Sequence, residues 1–423
     1  MPKVSRFFEP LLLACLLNLL VVLAAWFWTE SPLREVLQAW SEGFGSLMGF
    51  AMQMVLMLVL GHVLASAPGV YRLLTWLARW LSRQRGTAFW IVLLTAAISW
   101  LHWGLGLVAG ALIAREVAAV DKVVDSAHLL RYTAAAYAGF IVWHGGWSGS
   151  APLVVATPGH SWEAALGVIP VQATILSPLN LSLLLGVTVV AALTVQWLPI
   201  RVSTSRSAEP AQPPPPAAPE PPSWRWDYAL PTGLAISGIT TGLLLLGAQS
   251  LNLNSVILLL FGLGLSLHSH SAAFQGAVKT GLGDTAGVVV QFPLYGAIMG
   301  VMQASGLAVM LAQSLLQVTS SQLFLPLVFL SAGALNVLVP SGGGQWAVQA
   351  PVLIPVAQQM GADLGQLVVA FAWGDAWTNL IQPFWALPLL AITRVEPWPL
   401  LKISSWVCVS TGLIACGILY GLA

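Results

Sequence analysis

Residues 336–351, NVLVPSGGGQWAVQAP, lie inside an apolar tract yet hold a proline, three consecutive glycines and four amide or hydroxyl side chains: Asn336, Ser341, Gln345 and Gln349. Pro340 has no amide hydrogen to donate, and Gly342, Gly343 and Gly344 are poor helix formers. The stretch therefore predicts a helix that stops and restarts. Of the 423 residues, 57% are hydrophobic and only 7% charged, more apolar surface than a soluble core can enclose. That balance predicts an all-α polytopic membrane protein. In a bilayer a broken backbone persists only when it is buried in protein or lines a cavity. A helix restarting near Gln345 would turn free N–H groups and the positive end of its dipole toward that cavity, which suits an anion.

A net charge of +1 without a basic patch argues against nucleic-acid binding. Cys15, Cys408 and Cys416 fall in apolar spans without metal-ligand spacing, so packing is their expected role and no metal site is expected. Lys3 and Arg6 precede an apolar run at 11–28 with no small-residue cleavage site after it, which reads as a first membrane helix. Trp26, Trp28, Trp76, Trp80 and Trp398 stand at span ends, where an interfacial belt would place them.

The segment 201–226, containing AEPAQPPPPAAPEPP, is the one stretch plainly outside the membrane, an extended cytoplasmic linker. It separates a first membrane repeat, 1–200, from an extra span plus a second repeat, 227–423. The halves match in order. One offset carries Gly43, Gly45, Gly49 and Gln53 onto Gly281, Gly283, Gly287 and Gln291, and carries Gly104 and Gly106 onto Gly342 and Gly344. The glycines at 43–49 and 281–287 read as helix packing, Gln53 and Gln291 equally as helix glue or as ligands, and Asp284 as a helix cap.

Charge predicts that the second copy is inverted. Arg72, Arg79, Arg83 and Arg85 put 71–85 on the cytoplasmic side, as an interfacial helix, whereas its counterpart at 309–322 carries no charge. Between Arg85 and Arg115 the first arm, 87–101, reaches only ~22 Å against a ~30 Å hydrocarbon core. A re-entrant hairpin at 87–114 is expected, matched by another at 323–357. Spans are expected near 10–28, 46–67, 129–157, 172–198, 228–248, 252–268, 285–305, 365–393 and 400–421. The fold class is thus an inverted-topology repeat with two re-entrant hairpins and broken spans, an organisation suited to alternating access.

Two long spans hold polar interruptions: WHGGWSGSAP with His144, Ser148, Ser150 and Thr157, and WGDAWTNLIQP with Asp375, Thr378, Asn379 and Gln382. With the hairpin tips they would frame one pocket. Ser341, Gly342, Gly343, Gly344, Gln345, Gly104, Gly106, His144, Ser148, Ser150, Thr378 and Asn379 are the substrate-binding candidates. Asp375, Asn336 and Thr157 are those for a coupling ion, since an intramembrane acid is functional by default. A structural hydrogen bond is the alternative for Asp375 and simple packing that for His144; His268 and His270 look interfacial. No HExxH, Walker loop or strand-borne GxSxG is present, so no enzyme activity is expected.

These motifs carry a resemblance. FAMQM (50–54), GHVLASAP (61–68), WGLGLVAGALIAREV (103–117), WSGSAPLVVATPG (147–159), VPSGGGQWAVQAP (339–351) and QPFWALPLLAI (382–392) are similar to those of the bacterial short-chain fatty acid transporters. The resemblance covers nearly the whole chain except the linker. It implies secondary transport of short monocarboxylates such as butyrate or acetoacetate across the bacterial cytoplasmic (inner) membrane, elevator-type movement and a homodimer. The N-terminus would be cytoplasmic, and no cofactor is expected beyond Na⁺ or H⁺ as coupling ion. Gln345 stands where the family often has His, and His144 where Gly is common. The alternatives are transport of a dicarboxylate or aromatic acid, disfavoured because no Lys or Arg lies deep in a span, and a non-transporting acyl-ligand sensor.

Overall fold

The computed structural model describes residues 10–120, 126–199, 229–247, 250–268, 270–283, 285–337, 339 and 341–422. Lys3, Arg6, the segment 201–226, Asp284, Leu338 and Pro340 lie outside them.

Among the described residues the chain is helical, without strands. The first half runs through α1 (Pro10–Trp28), α2 (Leu33–Gly43), α3 (Met48–Ser66), α4 (Pro68–Leu81), α5 (Thr87–Leu101), α6 (Trp103–Val120) and α7 (Ser126–Gly139). A 3-10 turn (Phe140–Gly145) follows, then α8 (Ser150–Val155), the one-turn α9 (Glu163–Leu166) and α10 (Pro178–Trp197). The second half holds α11 (Ala229–Leu245), α12 (Leu253–Leu267), α13 (Ser271–Gly283), α14 (Ala286–Ala304), α15 (Leu307–Val318), α16 (Ser321–Asn336), α17 (Gly342–Met360) and α18 (Leu364–Thr378). A second 3-10 turn (Asn379–Ile381), α19 (Pro383–Thr393) and α20 (Pro397–Gly421) complete it.

Local chemistry sets these boundaries. Ser177 accepts from Asn180 N to cap α10, and Asp363 accepts from Gln366 N to cap α18. Asn252 and Ser255 form a reciprocal capping box on α12. Gly361, at φ +64°, ends α17 in the left-handed conformation that glycine adopts without strain. Five described helices, α3, α6, α10, α14 and α20, are long and apolar enough to cross a membrane. α6 is therefore longer than the return arm expected at 103–114, because its helix continues through Arg115 to Val120. The short amphipathic α2 and α13 escape a search for apolar runs, since each carries too many polar positions.

The packing comes in matched pairs. α2 lies on α14 and α13 on α3; α4 lies on α6 and α15 on α17; α5 lies on α7 and α16 on α18; α6 lies on α19 and α17 on α8. Lipid gives helices little hydrophobic reason to associate, so close backbone approach and interhelical hydrogen bonds must hold them. Gly43 supplies the first: a Cβ there would stand 2.6 Å from the Gly296 carbonyl oxygen and 3.0 Å from Gly300 Cα. Gly281 meets Val59 and His62 of α3 in the same way. Gly45, Gly49 and Gly283 have no neighbour within 4 Å of such a Cβ, so the packing role expected of all six glycines falls to Gly43 and Gly281, with Gly287 only beside Gln291 of its own helix. Gln53 supplies the second kind of contact, donating to Asn254 Oδ1 at 2.7 Å and so joining α3 to α12. His268 is buried in the protein, with Nε2 3.0 Å from Val63 O. Trp26, Trp28, Trp76, Trp80 and Trp398 are all exposed on the outer surface.

Candidate functional site

Four interruptions of helix meet inside the molecule. The first is the α5–α6 turn at His102, whose ring is buried with Nε2 3.2 Å from Met57 O on α3. The second is the break between α7 and α8. These two are stitched together: Trp147 N donates to Trp100 O (2.7 Å), Trp103 N to Ser148 Oγ (2.8 Å) and Trp100 Nε1 to Gly145 O (3.0 Å). Ser148 thus satisfies an N–H at the start of α6, and Gly106 lets α6 lie against Ser99 of α5. Gly104 contacts little beyond the His102 ring.

The third interruption, between α16 and α17, begins its new helix at Gly342, with Ser341 Oγ accepting from Gly344 N at 3.4 Å. First-turn N–H groups have no acceptor within their own helix. All three glycines are close-approach positions. A Cβ on Gly342 would stand 2.8 Å from Ser150 Oγ and 3.0 Å from the Trp143 ring; on Gly343, 2.7 Å from Phe50; and on Gly344 it would enter the Tyr295 ring. Gln345 is buried and donates to Ala332 O (2.7 Å) and Gln349 Oε1 (2.9 Å).

The fourth interruption, after α18, is tied to the third by amides. Asn336 Nδ2 donates to Thr378 Oγ1 (2.9 Å) and Asn379 Oδ1 (2.7 Å), Thr378 Oγ1 to Gly333 O (2.9 Å), and Gln382 Nε2 to Asn336 O (2.5 Å). One ionisable contact joins the second and fourth interruptions: His144 Nδ1 lies 2.6 Å from Asp375 Oδ2, with the side chains 0% and 1% exposed. The other imidazole nitrogen is 3.0 Å from Ser150 Oγ and accepts from Ala151 N at 3.2 Å. Trp143 stacks on the imidazole at 4.4 Å, and Phe371 meets it edge-on at 6.0 Å.

The α17 start, the first broken span and the second broken span are therefore neighbours, with Asp375 and Asn336 at their breaks, whereas Gly104 and Gly106 contact only their own hairpin. Thr157 stands apart from this cluster: its hydroxyl donates to Leu153 O (2.8 Å) and accepts from Leu253 N (3.2 Å), which ties α8 to the start of α12. A cavity of about 270 Å³ lies on that side too, lined by Ala156, Val171, Gln172 and Ser250 among others. Several buried polar atoms at the breaks have no hydrogen-bond partner: Asp375 Oδ1, Gln345 Oε1, Asn336 Oδ1, Gln382 Oε1, Asn379 Nδ2, Trp143 Nε1 and Trp346 Nε1. Buried groups of this kind are normally paired, so a cluster of them marks a place where a ligand or water is expected. No group of three or more His, Cys, Asp or Glu able to hold a metal occurs among the described residues.

Sequence reasoning missed three participants. Tyr137 OH donates to Asn379 O (2.5 Å) and Gln382 O (3.1 Å); Asn180 ties Gly145 O (2.8 Å) to Trp373 Nε1 (2.7 Å); and the indole of Trp346 packs on Phe371 at 4.8 Å. The signal for Tyr137 was available, since the offset that carries Gly43 onto Gly281 also carries Tyr137 onto Asp375. Asn180 gave none, lying in an ordinary apolar helix.

Comparison with known proteins follows the same lines. The sequence model of the family described as "Short chain fatty acid transporter" matches residues 2–207 and 233–422. A candidate short-chain fatty acid transporter of Escherichia coli (strain K12) is 37% identical over 405 residues, covering 92% of this chain and 90% of that protein. One of Haemophilus influenzae is 34% identical over 427 residues, at 92% and 93% coverage. Among solved structures, the YdaH transporter of Alcanivorax borkumensis, described as having an unusual topology, superposes with a TM-score of 0.62 over 97% of this chain and 98% of that one. At 15% identity that likeness speaks for the fold alone.

Proposed function

The chain belongs to the short-chain fatty acid transporter family, and on that premise we propose that it carries short monocarboxylates, such as butyrate or acetoacetate, across the bacterial cytoplasmic membrane by secondary active transport. The observation that supports this reading is the meeting of the α17 start with the first broken span, Gly342 lying against His144 and Ser150. Around that contact, Trp143 Nε1, Trp346 Nε1 and Asn379 Nδ2 are buried donors without partners. With the first-turn N–H groups of α17 and Ser341, they suit a carboxylate, and the surrounding rings suit a short alkyl tail. A single negative charge is favoured, because the described arginines of α6 and α7 are engaged elsewhere. Arg115 pairs with Glu116 (3.0 Å), and Arg131 donates to the carbonyls of Val195, Gln196 and Leu198 that end α10.

The reading includes two repeats of opposite orientation, each with a re-entrant hairpin (α5–α6 and α16–α17) and a broken span, exchanging access to a shared site. The matched contacts of the two halves favour it. The N-terminus and the 201–226 linker are then cytoplasmic, the protein acts as a homodimer without cofactor or enzyme activity, and a cation or proton at Asp375 supplies the driving gradient.

Uptake of labelled butyrate into proteoliposomes tests the cargo. Undissociated acid crosses lipid unaided, so protein-free vesicles set the baseline. Saturable uptake above that baseline is expected, falling at least about tenfold in Gly343→Val, whose side chain would displace Phe50 from the α17 start. Uptake no faster than in protein-free vesicles would sink the proposal.

A further inference from the structure

We propose that the coupling ion is a proton, taken up on Oδ1 of Asp375 while Oδ2 stays bound to His144, and that one proton accompanies each carboxylate. The inference rests on the transport reading above and specifies its coupling site.

The hydrogen bonds assign the protons. A backbone N–H only donates, so Ala151 N, 3.2 Å from His144 Nε2, makes that nitrogen an acceptor. A neutral imidazole accepting at Nε2 carries its hydrogen on Nδ1, which therefore donates to Asp375 Oδ2 at 2.6 Å. Oδ2 is thereby fixed as an acceptor, whereas Oδ1 is buried without a partner. A proton added to Oδ1 leaves the Nδ1–H···Oδ2 bond in place, so the site can load and unload without repacking. Sodium fits less well. It needs a shell of oxygens, whereas Asp375 offers it only Oδ1, since Oδ2 already faces the Nδ1–H of His144.

Among the described residues, no other ionisable side chain is hydrogen-bonded to the His144–Asp375 pair. The first 3-10 turn packs against α5, α6, α7, α8, α10 and α18, and α18 against α16, α17 and α20 as well. α5, α8, α10, α16 and α17 carry no Asp, Glu, Lys, Arg, His, Tyr or Cys. On α6, Arg115 and Glu116 pair with each other; on α7, Arg131 caps α10 and Tyr137 OH donates to Asn379 O and Gln382 O, while the rings of His128 and Tyr132 meet at a tilt. On α20, Lys402 lies over Trp398, Cys408 approaches Trp377 O and Tyr420 reaches Gln322; Cys416 is the remaining group there. His102, in the α5–α6 turn, faces Met57 O. Among the described residues, Asp375 is thus the sole carboxylate at the breaks.

Coupling then follows from charge. A substrate carboxylate received at the start of α17 stands beside His144, one hydrogen bond from Asp375. Two anions at that separation in a low-dielectric interior repel strongly, and protonation of one removes the repulsion. Anion and proton enter as a neutral pair from the outer aqueous phase, and both leave to the inner one.

Calorimetric titration of butyrate into the purified full-length protein tests this, repeated across neutral and alkaline pH, in buffers of different ionisation enthalpy and with Na⁺ or choline. We expect proton uptake rising toward one per butyrate at alkaline pH, with affinity falling about tenfold per pH unit there. Both effects should be absent in Asp375→Asn, whose amide oxygen can still accept from Nδ1–H. Replacing Na⁺ with choline should change neither. Binding that is independent of pH, that requires Na⁺, or that keeps its proton count in Asp375→Asn would overturn the proton assignment while leaving the cargo standing. No butyrate binding at any pH would instead remove the transport reading, and this inference with it. Infrared difference spectra of the wild type need no variant: butyrate should raise a carboxylic-acid C=O band at alkaline pH, and its absence would overturn the proposal.

Discussion

The two broken spans occupy matching places in the two halves, yet each is strapped by a different chemistry. Tyr137 on α7 reaches the second break and donates to the carbonyls of Asn379 and Gln382; Asp375, its counterpart on α18, reaches the first break and accepts from His144. The first strap is a hydroxyl donating to backbone carbonyls, whereas the second joins an imidazole to a carboxyl group. The surroundings differ accordingly. The first break is cramped by backbone, with Gly146 against the Trp100 carbonyl and Gly149 against that of His144, while the second is an amide network in which Asn336 Oδ1, Asn379 Nδ2 and Gln382 Oε1 are left unpartnered. The first break is therefore a tight seat with an imidazole–carboxyl strap, and the second a looser amide network with spare polar groups.

The largest effect should come from crowding the tight seat. Gly146→Ala would push a methyl group into the Trp100 carbonyl, and a loss of about 3 kcal/mol or more is expected, read as folded yield and unfolding midpoint in mixed micelles. A mild effect would show that the seat yields, and the contrast between the breaks would weaken. Next, Asp375→Ala leaves His144 Nδ1–H buried without an acceptor and should cost about 2–3 kcal/mol in the same measurement. Tyr137→Phe removes a hydroxyl hydrogen shared between two carbonyls and should cost about 1–2 kcal/mol, while gradient-driven uptake per folded molecule falls less than in Asp375→Ala. Equal losses of uptake in the two would make both straps structural and erase the distinction. The smallest effect is expected at Thr157→Val, about 1 kcal/mol from the lost bond at the start of α12, with the driving ion unchanged. A changed driving ion there would return Thr157 to the coupling site.

Much of this organisation is legible in the chain. The scarcity of charge fixes an all-helical membrane protein, and glycine and proline within apolar tracts locate the interruptions to within a few residues. Apolar runs gave α1, α3, α10, α14 and α20 nearly to their ends. They did not give α2 and α13, because a helix half-covered by polar residues leaves no apolar run to count. Site membership was less legible. Ser148, a substrate candidate, accepts from Trp103 N, and Thr157, a coupling-ion candidate, bonds to the start of α12; neither contact could be read from the chain.

What the sequence determined by itself is therefore the solvent and the places where the backbone must break, since both follow from side-chain polarity and local helix propensity. Tertiary structure alone decided which polar residues face one another. His144 and Asp375 stand 231 positions apart, and nothing local to either demands the other. Their meeting depends on how the first 3-10 turn packs against α18, and the tautomer that leaves Oδ1 free depends on the N–H of Ala151 arriving at the far nitrogen.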